Sequence, residues 1–297
     1  MAAVDHALTV SLRGDRRTRR RRIVNRLVEL VAILAAAAAV GVLAWVVYAV
    51  AKRGIDLISW SFLTGDLPIP FSPEVGGIGP LILGSAILVG IATLIALPIG
   101  VCIALFLEEF APGWLRVPIQ LAIDLMVGLP SIVIAIFVFS ALVYGHAENG
   151  LAGSLGLAIV MLPLITRATQ EVLRLVPSDQ REGALALGAS RWRTVLGIIL
   201  PSSLGGILTG TVLAVARAIG ETAPLLFVTG IYGRLVVLNP SHAMPNMPVQ
   251  IFIWSESPDP LDHKRAWATA FVLMAIVLVT SLVARIALNW GRRNVTR

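Results

Sequence analysis

The chain has 297 residues, of which 57% are hydrophobic and only 14% are charged, and it carries a formal net charge of +7. A soluble domain usually has roughly 45–50% apolar and about 25% charged residues, so a surface made from this composition could not be solvated in water. The composition therefore indicates a membrane protein and excludes a soluble enzyme, a nucleic-acid-binding protein and a secreted scaffold held by disulfides.

The basic residues are concentrated before the first apolar run. Of the 24 Lys and Arg residues 22 are Arg, and eight of these lie between residues 13 and 26. In a soluble protein such a charge would suggest binding to a polyanion such as nucleic acid. In front of an apolar run, however, a basic cluster is typical of a cytoplasmic N-terminus that orients the first membrane span. We therefore interpret residues 1–22 as a basic cytoplasmic tail.

Six apolar segments are long enough, or nearly long enough, to cross a membrane. A spanning helix needs about 20 mainly apolar residues, because each residue rises about 1.5 Å through a hydrocarbon core about 30 Å thick. The first segment is too long for a signal-peptide core, so it is expected to remain as an anchor. The fourth is the shortest, and we expect its helix to continue past Arg167. The segments are 23–51, 80–107, 117–144, 150–165, 198–229 and 266–290.

The distribution of basic residues predicts the orientation of these six helices. With the N-terminus inside, 18 of the 24 basic residues fall in cytoplasmic segments and five outside, while Arg217 lies within the fifth span. We therefore expect an all-α, multi-pass protein of the cell membrane with both termini in the cytoplasm. The predicted organisation after the basic tail is a first helix with its outer loop (23–75), a membrane domain (76–290) and a short cytoplasmic C-terminal tail (291–297).

Two outer loops, 52–79 and 230–265, are long and rich in Pro, Gly and aromatic residues. Loops of this length without clear periodicity are usually either functional or disordered. Their aromatic side chains could anchor the chain at the lipid headgroups or form a landing surface for an external partner, and composition does not separate these two interpretations. The aromatic residues include Trp60, Phe62, Phe71, Phe252 and Trp254.

The cytoplasmic loop at about 167–201 contains a short segment that is too apolar for a solvated surface. Asp179 with Glu182 three residues later resembles a capping box, which predicts a helix over about 180–187 that ends at Gly188. This helix consists mainly of Gly, Ala and Leu. Such a surface favours docking against another protein, although folding back onto the membrane as an interfacial helix is the alternative.

The same segment resembles the EAA loop of ABC importer permeases. It departs from the family pattern only at Gly183, which replaces the middle Ala, and Gly in a helix interior costs about 1 kcal/mol relative to Ala. The resemblance implies a coupling helix docked on an ATP-hydrolysing subunit, with Glu182, Gly183, Ala184, Leu185 and Gly188 as docking residues. The motif reads Glu182-Gly183-Ala184, three residues, Gly188, nine residues and Ile198-Ile199-Leu200-Pro201.

The chain has no recognisable site of its own for ATP. A phosphate-binding P-loop needs Gly-Lys followed by Ser or Thr, so that backbone amides and the lysine hold the nucleotide. The only lysines are Lys52 and Lys264, and neither follows a glycine. We therefore expect a separate polypeptide to hydrolyse any ATP, and we expect this chain to be no enzyme and to need no cofactor. Cys102 and the four histidines show no metal-ligand spacing.

A charged pair interrupts the fifth predicted span. If the bilayer-facing part is 204–228, Arg217 lies near the bilayer centre, where inserting an arginine costs about 2.5–3.5 kcal/mol, so it should face a partner or a wet cavity. Glu221 lies four residues later on the same helical face and can form an ion pair with Arg217. Pro224 cannot donate a hydrogen bond to the carbonyl of Gly220, which predicts a kink beside the pair.

The residues alone leave three uses of this pair open. It could be a structural ion pair that fixes helix packing. It could line a translocation path, in which the planar guanidinium of Arg217 attracts an anion and Glu221 controls whether that group is free. It could also belong to a proton-coupled carrier with Glu221 as the proton site, although we see no internal repeat of the kind that such carriers show.

The surrounding residues resemble the fifth-helix signature of phosphate-specific ABC permeases of the PstA type. In that family the Arg and Glu of this helix are associated with transport, which implies the same role for Arg217 and Glu221. We group Gly220, Thr222 and Pro224 with them as candidate translocation residues. The similar segments are Leu208-Thr209-Gly210, Leu213-Ala214, Ala216-Arg217-Ala218, Gly220-Glu221-Thr222-Ala223-Pro224-Leu225-Leu226, Gly128-Leu129-Pro130-Ser131-Ile132-Val133 and Met247-Pro248-Val249-Gln250-Ile251.

The resemblance implies the transmembrane domain of a type I ABC importer for inorganic phosphate. Its partners would be a second, similar permease subunit in a heterodimer, two copies of the ATPase, an extracytoplasmic phosphate-binding protein and membrane lipid, with no nucleic acid. An importer for molybdate or sulfate is the alternative within the class, but it should lack the run from Arg217 to Pro224. A membrane scaffold would not explain a charge inside a span.

Overall fold

The computed structural model describes residues 16–70, 72–230 and 234–295, and within these ranges the regular secondary structure is entirely helical. Phe71, residues 1–15 of the predicted basic tail and residues 296–297 of the predicted C-terminal tail lie outside the described residues. The chain divides into two units, one ending at Lys52 and the other beginning at Arg53. As far as it is described, the first unit is a single long helix.

The described residues form twelve α-helices. They are α1 (Arg16–Gly54), α2 (Trp60–Thr64), α3 (Gly79–Leu105), α4 (Gly113–Gly128), α5 (Ser131–Val138), α6 (Gly150–Arg174), α7 (Ser178–Ala186), α8 (Arg191–Thr194), α9 (Leu200–Ile219), α10 (Ala223–Leu226), α11 (Met247–Ser255) and α12 (Pro260–Val295). A 3₁₀ turn, Ile55–Leu57, follows α1. Segments of π-helix extend α3 (Phe106–Phe110), extend α5 (Phe139–Val143) and precede α9 (Val195–Ile199).

Among the described helical segments, five are long and apolar enough to cross a membrane, and α4 with α5 would form a sixth span. This confirms the predicted all-α, multi-pass architecture. The third predicted span, 117–144, is however not one continuous helix, because α4 and the helix that begins with α5 are bent by 101° relative to each other. Leu129 and Pro130 between them both have ψ of 132°. A residue before proline is disfavoured in the helical region, which accounts for the break at Leu129.

The helix α6 is the centre of the second unit. It packs against α3 and α9, and 61% of its most apolar stretch is buried, more than in the other candidate spans. It begins at Asn149, whose side chain accepts a hydrogen bond from the Ala152 N–H, and it runs to Arg174, which confirms that this helix continues past Arg167. The core between these helices includes Leu88 and Ala92 of α3, Leu157 and Met161 of α6, and Ala214 of α9.

Small residues let α6 and α9 approach each other closely. A Cβ atom at Gly210 would lie 2.4 Å from the Cβ atom of Ala168, and one at Gly206 would lie 2.5 Å from the methyl groups of Val172. Neither distance is sterically allowed for a real side chain. The two glycines are one helical turn apart, which is the spacing that close helix packing in membranes requires. The position of α9, and of the charged pair at its end, is therefore fixed against α6.

The described part of the outer loop before α11 is held by hydrogen bonds to the helices beneath it. Asn246 is fully buried; its side chain accepts from the Val249 N–H at 3.1 Å and donates to Thr229 Oγ1 at 3.1 Å. Ser85 of α3 accepts from the Met247 N–H at 2.9 Å. A Cβ atom at Gly84 would lie 1.8 Å from the carbonyl oxygen of Pro245. This part of the loop is packed against α3 and requires glycine at position 84.

The aromatic residues of the outer loops do not share one environment. Phe62 and Trp254 are buried in a cluster with residues of α3 and α12, so they are core residues, and neither interpretation offered from composition applies to them. Trp60 and Phe252 are exposed. The interpretations as a lipid anchor or a landing surface therefore apply only to exposed side chains such as these two.

Candidate functional site

The fifth predicted span is broken, not kinked, beside its charged pair. The helix α9 ends at Ile219 and α10 begins only at Ala223, so three residues lie between the two helices. The Gly220 N–H donates to the Arg217 carbonyl at 3.1 Å and closes the last turn of α9. A continuous helix to residue 228 would have placed Arg217 near the middle of the span. Because the helix ends earlier, Arg217 lies in its last turn.

Arg217 and Glu221 form the expected ion pair across this helix end. The Nε atom of Arg217 lies 3.4 Å from Oε1 of Glu221, and the side chain of Arg217 is 61% exposed while that of Glu221 is 15% exposed. A strong arginine–carboxylate pair has two parallel hydrogen bonds of about 2.7–2.9 Å, so this contact is a long, single one. Most of the guanidinium donors are therefore open to another partner in the isolated chain.

The pair lines a cavity of about 220 Å³ that also lies against the break between α4 and α5. Leu129, Pro130 and Ser131 form one side of this cavity, and Pro163 of α6 lies on another. Two interrupted helices thus meet at one place, with a guanidinium and a carboxylate between them. Irregular backbone within a membrane is tolerated where it is buried in protein or lines a water-filled cavity.

The other three candidate translocation residues have different environments. Gly220 is exposed and Thr222 is half-buried in the break. The carbonyl of Thr222 accepts hydrogen bonds from the N–H groups of Leu225 and Leu226, which starts α10. Pro224 is buried beside Gly156 of α6, where a Cβ atom on that glycine would lie 3.4 Å from the Cβ of the proline. Of the five candidates, Arg217 and Glu221 line the cavity, whereas Pro224 contributes packing.

Sequence reasoning missed the residues of the α4–α5 break as part of this site. The segment Gly128-Leu129-Pro130-Ser131 resembles the family, but its apolar length predicts the interior of one continuous span. A proline inside an apolar run was the available signal, because it removes a backbone donor and restricts the residue before it. Pro163 gave the same signal in α6, and yet there the helix continues without a break.

The second group of candidate residues lies on and beside α7. This helix begins at Ser178, earlier than predicted, and no side-chain hydrogen bond caps it, so the prediction of a capping box at Asp179 and Glu182 is wrong. Pro177 immediately precedes the first residue of α7. The helix does not start earlier, because a proline disfavours the helical conformation at the residue before it.

The predicted end of this helix at Gly188 is confirmed. Gly188 has φ of 82°, its N–H donates to the Leu185 carbonyl at 3.0 Å, and the Ala189 N–H donates to the Ala184 carbonyl at 3.0 Å. These two bonds define a Schellman motif, in which glycine adopts the left-handed conformation at little cost.

The docking candidates of α7 lie mainly on its outer surface. Glu182, Gly183 and Leu185 are exposed, as is Gly188 just beyond the helix, and the neighbouring Leu187 is 91% exposed. Ala184 is the one buried residue of the helix. A Cβ atom at Gly183 would meet no atom within 4 Å. The helix therefore rests on the rest of the unit through Ala184 and presents a small, partly apolar surface outward.

Comparison with known proteins shows the family of the chain. Residues 96–296 match the family model described as the inner membrane component of binding-protein-dependent transport systems. This range includes α7 and the Arg217–Glu221 pair. The chain belongs to this family of transport permeases.

Several relatives are similar over nearly their full length. The chain is 34% identical over 275 residues to phosphate transport system permease protein PstA 1 of Mycobacterium tuberculosis, covering 90% of this chain and 89% of the relative. It is 33% identical over 290 residues to PstA of Yersinia pestis, with coverage of 96% and 98%. It is 36% identical over 246 residues to PstA of Haemophilus influenzae, with coverage of 82% and 86%. The resemblance to PstA-type permeases is confirmed.

Solved structures agree with this membership at the level of the fold. A bacterial alginate ABC transporter matches with a TM-score of 0.62 at 15% identity, covering 93% of this chain and 98% of the other chain. The MetNI methionine ABC transporter matches with a TM-score of 0.55 at 14% identity, with coverage of 72% and 93%. The predicted transmembrane fold of an ABC importer is thereby confirmed.

Proposed function

We propose that this chain is the membrane-spanning permease subunit of an ATP-driven importer of inorganic phosphate. Support for the substrate comes from the PstA phosphate permeases that are similar over 82–96% of the chain. The observation that carries the site is the exposed guanidinium of Arg217 beside two interrupted helices. Within this framework, Arg217 and Glu221 line the path that phosphate follows.

Arg217 has the chemistry that a passing oxyanion requires. Its planar guanidinium can donate two parallel hydrogen bonds to one phosphate group, which a lysine cannot do. Its contact with Glu221 is long and uses one atom, so an anion can engage the remaining N–H groups. Glu221 then competes with the anion for the guanidinium. Such competition keeps binding weak enough for release, which transport needs as much as it needs capture.

The start of α5 adds a second feature that favours an anion. Ser131 is the first residue of α5 and lines the same cavity as Arg217. The first N–H groups of a helix have no partner within the helix, and the helix dipole makes this end attractive to negative charge. Discontinuous helices whose N-termini face an anionic substrate recur in transporters. We propose that this helix end and Arg217 act on the same phosphate.

The surface of α7 is proposed to dock a separate ATPase. Glu182, Gly183 and Leu185 face outward together with Gly188, and Ala184 holds the helix in place from the other side. Small residues allow a groove on a partner to approach the helix backbone closely. ATP would be bound and hydrolysed entirely by that subunit, so this chain would itself make and break no covalent bond.

The remaining partners follow from the same proposal. We place α7 and both termini in the cytoplasm, as the arginine distribution favours, and the α11 loop towards an extracytoplasmic phosphate-binding protein. The helix α4 has exposed apolar residues at a spacing of three to four, namely Trp114, Val117, Leu121 and Leu125. This stripe suits a second, similar permease subunit in a heterodimer, with lipid around the pair.

Uptake by the complete importer tests the proposed function. Liposomes would contain both permease subunits with the ATPase, ATP would be trapped inside, and binding protein with labelled phosphate would be supplied outside. We expect ATP-dependent phosphate entry that a protonophore does not alter. Entry that required the proton gradient would instead indicate a proton-coupled carrier. Entry of molybdate or sulfate in preference to phosphate would refute the substrate.

A further inference from the structure

The end of α3 carries three consecutive residues that contact two different parts of the protein. They are Glu108, Glu109 and Phe110, and they lie in the π-helical segment that extends α3. A π-helical turn inserts an extra residue and rotates the side chains that follow it, and such turns are frequent at functional sites. Here the two neighbouring glutamates have different partners.

Glu108 is bound by the helices of the core. Its side chain is 7% exposed and accepts hydrogen bonds from Arg116 Nη2 of α4 at 2.6 Å. It also accepts from three donors on α6: Gln170 Nε2 at 3.1 Å, Arg174 Nε at 3.1 Å and Arg174 Nη2 at 2.9 Å. Both carboxylate oxygens thus have hydrogen-bond partners. This residue fastens α3 to α4 and α6.

Glu109 instead reaches the helix proposed to dock the ATPase. Its Oε1 atom lies 2.9 Å from Nη2 of Arg181 on α7, and that nitrogen also donates to the Leu173 carbonyl at 2.7 Å. Within the described part of the chain, every polar side-chain contact between α7 and another helix comes from Arg181. Because α7 otherwise buries only Ala184, this ion pair is its main attachment to the end of α3.

The ion pair is close but incompletely hydrogen-bonded. Glu109 Oε1 and Arg181 Nε are both buried, and among the described residues neither has a hydrogen-bond partner of acceptable geometry. Buried polar groups are normally paired, so an unsatisfied one calls for an explanation. Breaking a buried charge pair is costly, while forming one adds little net stability. The Glu109–Arg181 pair therefore suits transmission of movement between α7 and the end of α3 more than it suits stabilisation of a fixed structure.

Phe110 makes a second contact, with the helix that follows α7. Its ring stacks on Trp192 of α8, with centroids 4.5 Å apart and planes at 28°. Offset stacking of this kind adds about 0.5–1.5 kcal/mol beyond area burial. Two adjacent residues at the end of the α3 extension therefore contact α7 and α8, one by an ion pair and one by an aromatic contact.

We propose that Glu109 and Phe110 receive the movement of α7 and pass it to α3 during the transport cycle. This inference rests on the proposed docking of the ATPase at α7. α3 packs along α6, whose Pro163 lines the cavity with Arg217, so a displacement of α3 reaches the substrate path. Glu109, Arg181, Phe110 and Trp192 act as positioning residues. Glu108, one residue earlier, belongs to the scaffold and does not transmit.

The test measures phosphate uptake and ATP hydrolysis together in liposomes that hold the complete importer. Glu109→Gln and Arg181→Met each remove the ion pair. We expect both variants to retain the ATPase at wild-type yield and to hydrolyse ATP, while phosphate transported per ATP falls about tenfold. The double variant Glu109→Arg with Arg181→Glu restores the pair in reverse and should recover most of that ratio. Glu171→Gln serves as the control, because Glu171 is exposed on α6 and, among the described residues, its ion pair is with Arg174 of the same helix and not with α7.

The outcomes distinguish a failure of the proposed coupling through Glu109 and Phe110 from a failure of the proposed import function. A wild-type ratio in both single variants would overturn the link, as would a loss that the double variant fails to restore. Trp192→Ala should lower the ratio and Trp192→Phe should keep it, and equal effects of the two would remove the aromatic half of the proposal. Absence of ATP-dependent uptake by the unaltered complex would refute the proposed function itself.

Discussion

Two arginine–glutamate sites in this protein use the same chemical groups in opposite ways. Glu108 is nearly buried and accepts four hydrogen bonds at 2.6–3.1 Å from α4 and α6. Glu221 has one contact of 3.4 Å with an arginine that is mostly exposed. The first arrangement gives both oxygens of the carboxylate donors from two helices, whereas the second leaves most of a guanidinium available to bind another group. Both sites are charged. They differ in the number of hydrogen-bond partners of the glutamate, which is high at the structural residue Glu108 and low at Glu221 in the candidate site.

The largest effect should come from removing the free guanidinium. Arg217→Ala is expected to lower phosphate uptake by about 10- to 100-fold, since a charge-assisted contact is worth about 1.5–3 kcal/mol. Thermal unfolding should change much less than uptake, because Arg217 is mostly exposed and makes only one long contact with Glu221. Arg217→Lys is the matched variant, and it should retain part of the activity through its charge. Normal uptake by Arg217→Ala would rule out a role of this residue in translocation.

The opposite pattern is expected at the saturated site. Glu108→Gln removes the negative charge that pairs with Arg116 and Arg174 and turns one acceptor oxygen into an NH2 donor. We expect a loss of about 2 kcal/mol in stability, because the half-exposed arginines can regain water. The unfolding temperature of the purified complex in detergent should fall. Uptake per assembled complex should stay near the wild-type level. A variant that was stable but inactive would place Glu108 in the transport path and abolish the contrast with Glu221.

A third charge, Glu182, is exposed on α7 and should act only through a partner. Glu182→Lys is expected to weaken attachment of the ATPase by about tenfold, because a reversed charge within an interface costs on the order of 1–2 kcal/mol. The amount of ATPase that co-purifies with the permease measures this. Glu171→Lys, on the exposed face of α6, should leave the yield unchanged. An unaltered yield for Glu182→Lys would argue against docking at α7.

The smallest effect concerns the departure from the family motif. Gly183→Ala adds a methyl group where no atom lies within 4 Å, and it should stabilise α7 by up to about 1 kcal/mol without loss of docking. Gly188→Ala provides the contrast, since φ of 82° there disfavours any side chain and the variant should lose stability. Equal unfolding temperatures for the two variants would show that α7 does not depend on its Schellman motif.

Much of the helical architecture was predictable because it depends on local composition. Apolar length predicted most of the spans, and Gly188 marked the end of α7, since both signals reside in consecutive residues. The continuation of α6 beyond Arg167 was also foreseeable, because the helical pattern there continues without a breaker.

The site was predictable only in part. Arg217 and Glu221 stood out, because charges inside an apolar run are costly. The cavity they line is also formed by the break between α4 and α5. A count of apolar residues gives the length of a span but not a change in its direction, so it does not predict the turn at Pro130. The network around Glu108 depends on donors 8, 62 and 66 residues away in the chain. Pairings of this kind arise from tertiary packing, which the sequence pattern does not record.

The helix α3 and its π-helical extension form one continuous helical segment from Gly79 to Phe110. At a rise of about 1.5 Å per residue its 32 residues extend for roughly 45–50 Å. Gly84 and Ser85 near one end lie beneath the outer loop, and Glu109 at the other end meets α7. If one end of this helix tilts, the other end moves with it. Bending at Pro98, which lies inside the helix, reduces this coupling. Under the proposed function, α3 would therefore connect the substrate-receiving side of the protein with the helix that docks the ATPase.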